Sequence, residues 1–168
     1  PVEITTPVLQ DRKKDVTAFK ISPDGTRMAL VRKTATGSEL GLARIIRSDK
    51  DKIMVDGWRA LDTTQEGTMP PIGTIRDVAW LDPTELLVLG VAPGESAFAP
   101  YRVVEDASRI TAEGESPNSD AVELAVLPRT QTAIIVGRNG STWRDDGSQW
   151  LPFLDDKDAK VSTIAYAS

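Results

Sequence analysis

The chain has 168 residues, 40% hydrophobic and 27% charged, which is enough apolar side chain to bury one domain and too much for a disordered tail. It holds no cysteine and no histidine, which removes disulfide frameworks, Cys or His metal ligands, thiol nucleophiles and every imidazole-based triad. A net charge of −5 and a pI near 4.8 lack the basic footprint of a nucleic-acid binder.

The first segment, PVEITTPVLQ, has neither the charged head nor the apolar core of a signal peptide. No stretch approaches the ~18 consecutive apolar residues of a membrane helix. A start at Pro1 rather than Met points to a processed piece of something longer, with any anchor or signal upstream. Arg12-Lys13-Lys14 is too short a basic run for nucleic acid and reads as a solvated turn. Beyond it, period-two alternation dominates, and no window of about ten residues carries a helical stripe, so the chain reads as all-β. Strands are expected at Val16–Ile21, Arg27–Val31, Leu40–Ile46, Ile75–Leu81, Leu86–Val91, Tyr101–Val104, Val122–Leu127 and Thr132–Val136. Between them stand turn formers: Pro23-Asp24-Gly25, Asp82-Pro83, Asn139-Gly140 and Asp146-Gly147. Gly supplies positive φ in such turns, and Asp or Asn bonds its own backbone.

The pieces repeat. VTAFKISPDGTRMALVRK is echoed by RDVAWLDPTELLVLGV and again by VELAVLPRTQTAIIVGR, each an apolar strand, a proline turn and a second apolar strand. The turn prolines Pro23, Pro83 and Pro128 set spacings of 60 and 45 residues. Each pair is followed by a more polar stretch able to form two further strands: ELGLARIIRSDKDKIMVDGWRAL, YRVVEDASRITAEG and STWRDDGSQWLPF. Four strands per unit of roughly 40–50 residues is the pattern of a β-propeller blade. Blades are expected at about residues 13–70, 75–116 and 119–156, with a surface loop at Asp62 to Pro71 and a terminal strand at 160–168 where another blade begins. Propellers close with about four to eight blades, so three units with strand-sized pieces at both ends read as part of a larger ring rather than as a small ring closed by the two termini. Open blade edges are then a route to self-association.

The ISPDGTRMALV repeat start, its weaker copies WLDPTELLVLG and VLPRTQTAIIVG, and the ending SQWLPF followed by IAYAS together resemble the C-terminal part of the propeller in LpqB-type lipoproteins of actinobacteria. The resemblance spans essentially the whole chain. It implies a non-enzymatic, extracytoplasmic interaction module at the outer face of the cell membrane, anchored by lipid on chain not present here. It further implies an accessory of a two-component system that acts on the extracytoplasmic domain of a sensor histidine kinase. SPDG turns also occur in TolB-like and peptidase-associated propellers, so a TolB-like binding propeller or a domain accessory to an enzyme such as a serine peptidase is the alternative.

Ser22-Pro23-Asp24-Gly25 reads as a structural reversal, and Asp24 is not a catalytic candidate. Asp145, Gly147 and Trp150 partly match the Asp-box that braces hairpins in sialidase-type propellers, again a structural feature. Asp155-Asp156-Lys157-Asp158 offers calcium-compatible oxygens but lacks the order of an EF-hand, so a solvated acidic turn is expected. Glu105-Asp106 and Glu113/Glu115 are isolated carboxylates with no visible acid–base pairing. No Gly-x-Ser-x-Gly elbow, Walker loop or dinucleotide fingerprint is present, so no catalytic residue, cofactor or metal is expected. Trp80 is expected in the core. Trp58, Arg59, Trp143, Arg144 and Trp150 are the candidate partner-binding residues, because aromatics beside Arg in outer-strand segments are enriched at hot spots. Packing between blades is the competing role for the same tryptophans.

Overall fold

The computed structural model describes residues 3–5, 15–48, 52–63, 71–106, 109–113, 121–127 and 130–154. Turn chemistry sets where its strands end. Between β2 (Val16–Ile21) and β3 (Arg27–Lys33), Asp24 Oδ1 accepts from Thr26 N at 3.0 Å and Thr26 Oγ1 at 2.8 Å, while Gly25 takes φ +68°. The second repeat reverses the same way: Asp82 Oδ1 accepts from Thr84 N at 2.6 Å and Glu85 N at 2.8 Å between β6 (Thr74–Trp80) and β7 (Glu85–Val91). The third, between β10 (Ala121–Leu127) and β11 (Thr132–Gly137), carries Gln131 at φ +54°, where glycine is the usual occupant. Its Pro128 lies outside the described residues.

These strand pairs open three sheets. The first continues through β4 (Ser38–Ser48) and β5 (Lys52–Leu61), the second through β8 (Ala99–Val104) and β9 (Ile110–Ala112), and the third through β12 (Thr142–Asp145) and β13 (Trp150–Pro152). In each, consecutive strands pair antiparallel, so the four-stranded units anticipated from the repeats are present and the fold is all-β. A fifth strand falls in the strand-sized piece expected at the start of the chain, but its place in the first sheet was not anticipated. β1 (Glu3–Thr5) pairs parallel to β5, with Glu3 opposite Lys52 and Thr5 opposite Met54, and covers the outer edge of the first sheet. The expected terminal strand at 160–168 and most of the 62–71 loop lie outside the described residues.

Every first strand carries a bulge at the same height. The register slips between Val16 and Ala18 in β2, between Ile75 and Asp77 in β6, and between Ala121 and Glu123 in β10. A bulge sharpens the local twist, so the three strands bend alike. Past it, cross-strand partners place Phe19 (opposite Leu30), Val78 (opposite Val88) and Leu124 (opposite Ile135) at one equivalent position. Ile21, Trp80 and Val126 occupy the next on the same face, two residues along. The prolines misalign the second repeat by one residue, because Pro83 follows the capping Asp82 whereas Pro23 precedes Asp24.

Sheets two and three turn a front face toward the preceding sheet, and sheets one and two turn a back face toward the next. In the first seam, Ala29, Val31, Leu40 and Leu42 from the back of sheet one meet Val78, Trp80, Leu86 and Val88 from the front of sheet two. In the second, Ala79, Leu81, Leu87 and Leu89 meet Leu124, Ala133 and Ile135. β6 lies against both β2 and β10, so the first strands converge on one side and the sheets fan out from them as propeller blades. The second strands are buried on both faces, which is why β3, β7 and β11 read as continuous apolar runs rather than alternations.

Candidate partner-binding surface

Trp58 and Arg59 are neighbours in sequence but, by strand alternation, occupy opposite faces of β5. Trp58 lies half-buried against the front-face cluster of Met28, Leu30, Ala43 and Val55. Gly41 on β4 makes room for it: a Cβ there would run into the indole and sit 2.8 Å from Arg59 O. The Arg32 guanidinium lies over the ring, 4.4 Å from its centroid, and is held by Glu39 through Nε at 3.1 Å and a second, closer N–H. The pairing fixes the indole plane and neutralises an almost fully buried arginine.

Arg59 turns instead toward the second sheet, where Nη2 donates to Glu105 O at 2.9 Å and half of the side chain remains exposed. Glu105 is the hub of this rim. Its carboxylate pairs with Arg27 Nη1, and its N–H donates to Thr84 O at 2.7 Å. Arg27 also donates to Pro83 O and lies 5.3 Å from the Trp80 centroid. Trp80 in turn donates Nε1 to Lys20 O at 3.1 Å, across the first seam. Blades one and two are therefore stitched by side chains of one reaching backbone carbonyls of the other.

Trp143 and Arg144 are likewise separated by alternation. Trp143, opposite Ile135 and Pro152, packs half-buried into the second seam, whereas Arg144, opposite Ile134 and Leu151, is exposed on the other face. Trp150 packs into the same seam and donates Nε1 to Glu113 O at 3.1 Å. The Glu113 carboxylate holds Arg102 through Nε at 2.9 Å and Nη2 at 3.2 Å. Between β9 and the β12–β13 turn lies an open cleft of about 200 Å³, lined by Glu113, Asp145, Gly147, Ser148, Gln149 and Trp150. The turn is self-capped: Asp145 Oδ1 accepts from Gly147 N at 2.8 Å, and Asp146 Oδ1 from Ser148 N and Gln149 N, both at 2.9 Å. The five candidates thus form two separate groups, one on the rim of blade one and one on blade three.

The chain matches the family described as Lipoprotein LpqB beta-propeller domain over residues 1–161. It belongs to that family. A protein named Lipoprotein LpqB from Cutibacterium acnes (strain DSM 16379 / KPA171202) is 28% identical over 151 residues, covering 88% of this chain and 25% of the relative. The chain therefore spans about a quarter of the length of that lipoprotein.

For an LpqB-type propeller, the polar residues that matter structurally are ones the sequence did not mark. Asp77 is buried in the second seam at 7% exposure, where its Oδ2 accepts from Leu124 N at 2.7 Å. Burial pushes its carboxyl up, against the pull of the Leu124 N–H and Lys20. Arg76, the bulge residue before it, donates to Ala121 O at 2.6 Å and stacks 3.7 Å from the Phe98 centroid. An acid inside RDVAW was the available signal, since a charge in an apolar strand needs a partner. Among the described residues no three His, Cys, Asp or Glu side chains gather as a metal site, and no helix is long and apolar enough to cross a membrane. The acidic turn at Asp155 to Asp158 and Glu115 lie outside the described residues.

Proposed function

We propose that this propeller is a non-enzymatic interaction module of a lipoprotein, held outside the cytoplasmic membrane by an anchor elsewhere in the polypeptide, that modulates a two-component system by binding the extracytoplasmic domain of a sensor histidine kinase. Membership of a lipoprotein propeller family is the observation that carries this reading. The seams supply the physical basis. Blades stitched by Arg27–Glu105, Trp80–Lys20 and Trp150–Glu113 present their outer strands in fixed geometry, so a partner docks with little ordering cost on this side.

The partner contacts are assigned to Trp58, Arg59, Trp143, Arg144 and Trp150. Arg59 and Arg144 supply exposed charge, and the half-buried indoles supply apolar edges held by packing. The test is in-cell photocrosslinking from positions 59 and 144 of the full-length envelope protein, read by mass spectrometry. Crosslinks to the external domain of a sensor kinase are expected. Crosslinks confined to a catalytic domain on the same polypeptide would make this a propeller serving an enzyme and overturn the reading.

A further inference from the structure

The outer edges of the three blades are finished in different ways. On blade one, β1 lies parallel along β5, an extended segment in register with Lys52, Ile53 and Met54. On blade three, Asp146 N donates to Gln149 O at 3.1 Å and Phe153 N to Thr142 O at 3.0 Å, so alternation turns the backbone of Trp150 and Pro152 outward, and Pro152 has no N–H to offer. Blade two has neither device. Val104 N donates to Arg109 O at 3.1 Å and Glu113 N to Pro100 O at 3.0 Å, with Arg102 opposite Thr111 between them. The N–H and C=O groups of Ile110 and Ala112 therefore point away from β8. Among the described residues no strand pairs with β9 on that side.

This open edge runs into the cleft between blades two and three, since Ala112 and Glu113 line its wall. Across it stand the half-buried Trp150 and Asp145, whose Oδ1 caps Gly147 while Oδ2 has no partner among the described residues. The Glu113 carboxylate already holds Arg102, so the spare negative charge of the cleft is that of Asp145. A carboxylate beside an indole suits an ammonium or a guanidinium.

We propose that the edge of β9 receives an extended segment of a protein partner as a fifth strand, parallel to β9 as β1 is to β5, and that a lysine or arginine following the paired residues enters the cleft against Asp145 and Trp150. Backbone hydrogen bonds to Ile110 and Ala112 supply the pairing, and the cleft supplies the selection. Blade one shows that a blade edge of this chain accepts an extended segment three residues long, the length of β9 itself. A second copy of the chain is the poorer occupant, because two folded propellers need an interface of about 1,200 Å² or more, which so short an edge does not provide. None of this depends on the partner being a kinase.

The probe is a synthetic peptide blocked at both ends, VEITTK, which repeats the edge-covering sequence around β1 and adds a lysine, with VEITTE as its twin. The readout is residue-resolved hydrogen exchange of the full-length protein. Without peptide, the Ile110 and Ala112 amides are expected to exchange at least about tenfold faster than those of Thr111 and Glu113, which face β8. Saturating VEITTK is expected to slow them at least about tenfold, and VEITTE to need at least about tenfold more peptide for the same effect. Ala112→Pro copies the outward proline of blade three and is expected to abolish the slowing, with circular dichroism checking that the sheets persist. Asp145→Asn keeps the Gly147 cap and is expected to erase the preference for lysine while the pairing stays. Slow exchange before peptide is added means that the edge is already covered, by the polypeptide itself if independent of protein concentration and by a second copy if it grows with it, and either overturns the proposal. So does exchange that millimolar VEITTK leaves unchanged, and an equal response to the two peptides overturns the place of the cation in the cleft.

Discussion

Asp77 concentrates the electrostatics of the propeller in one side chain. Its carboxylate satisfies the Leu124 N–H across the second seam, yet burial raises its pKa, so the folded state holds a proton that the unfolded chain gives up. Stability therefore falls as pH rises from the unfolded pKa through the raised folded one, and is flat above it. Asp77→Asn keeps an acceptor for Leu124 and removes the buried charge. In urea titrations it is expected to match or exceed the parent at neutral pH and to lose that slope. Asp77→Ala strands the N–H and is expected to cost about 1–3 kcal/mol. Asp24 carries the opposite sign. The Ser22 hydroxyl, then the Thr26 N–H and hydroxyl, hold its pKa down from 3.8 to about 2. The stability it contributes is complete above about pH 4 and is lost as pH falls through about 2. Asp24→Ala is expected to flatten acid unfolding in that window, with a small effect because the group faces water.

At the scale of the element, the sheets depend on close approaches that no apolar pattern announces. Gly41 admits the Trp58 indole beneath Arg32, and Gly41→Ala is expected to displace the ring and cost about 1–3 kcal/mol, with a red-shifted tryptophan emission. An unchanged spectrum and stability would mean that the indole is not confined by β4. The second strands were legible because central positions force continuous apolar runs, the first strands because each runs into a turn that repeats along the chain, and Val16–Ile21 came out with both ends as read. The piece that forms β1 was legible only as strand-sized, and its parallel pairing with β5 was not, since three residues carry no periodicity that names a partner. The candidate site was legible as residue types but not as geometry. Period-two alternation, already evident in the sequence, separates Trp58 from Arg59 and Trp143 from Arg144, yet which face meets the next blade depends on bulge and seam. The Glu105 hub gathers Arg27 and Arg59 from distant positions, and no local motif encodes that meeting.

For the whole molecule, blades whose main contacts among the described residues are with their neighbours make stability a sum of blade and seam contributions, as in other repeat architectures. The two seams differ in kind. The first is anchored by Trp80, which fills the apolar gap and donates to Lys20 O; the second by Leu124, whose N–H is held by Asp77. Trp80→Ala removes the larger side chain and is expected to cost about 3–5 kcal/mol, and Leu124→Ala about 2–5 kcal/mol. The location of the loss is more informative than its size. In native-state hydrogen exchange, Trp80→Ala is expected to release the amides of β2 to β5 while those of β10 to β13 keep their protection, and Leu124→Ala the reverse. β6 to β9, lying between, should weaken in both. If either substitution instead released all three sheets together, the blades would form one cooperative unit, and the rigidity invoked for partner docking would belong to the whole fan rather than to its separate seams.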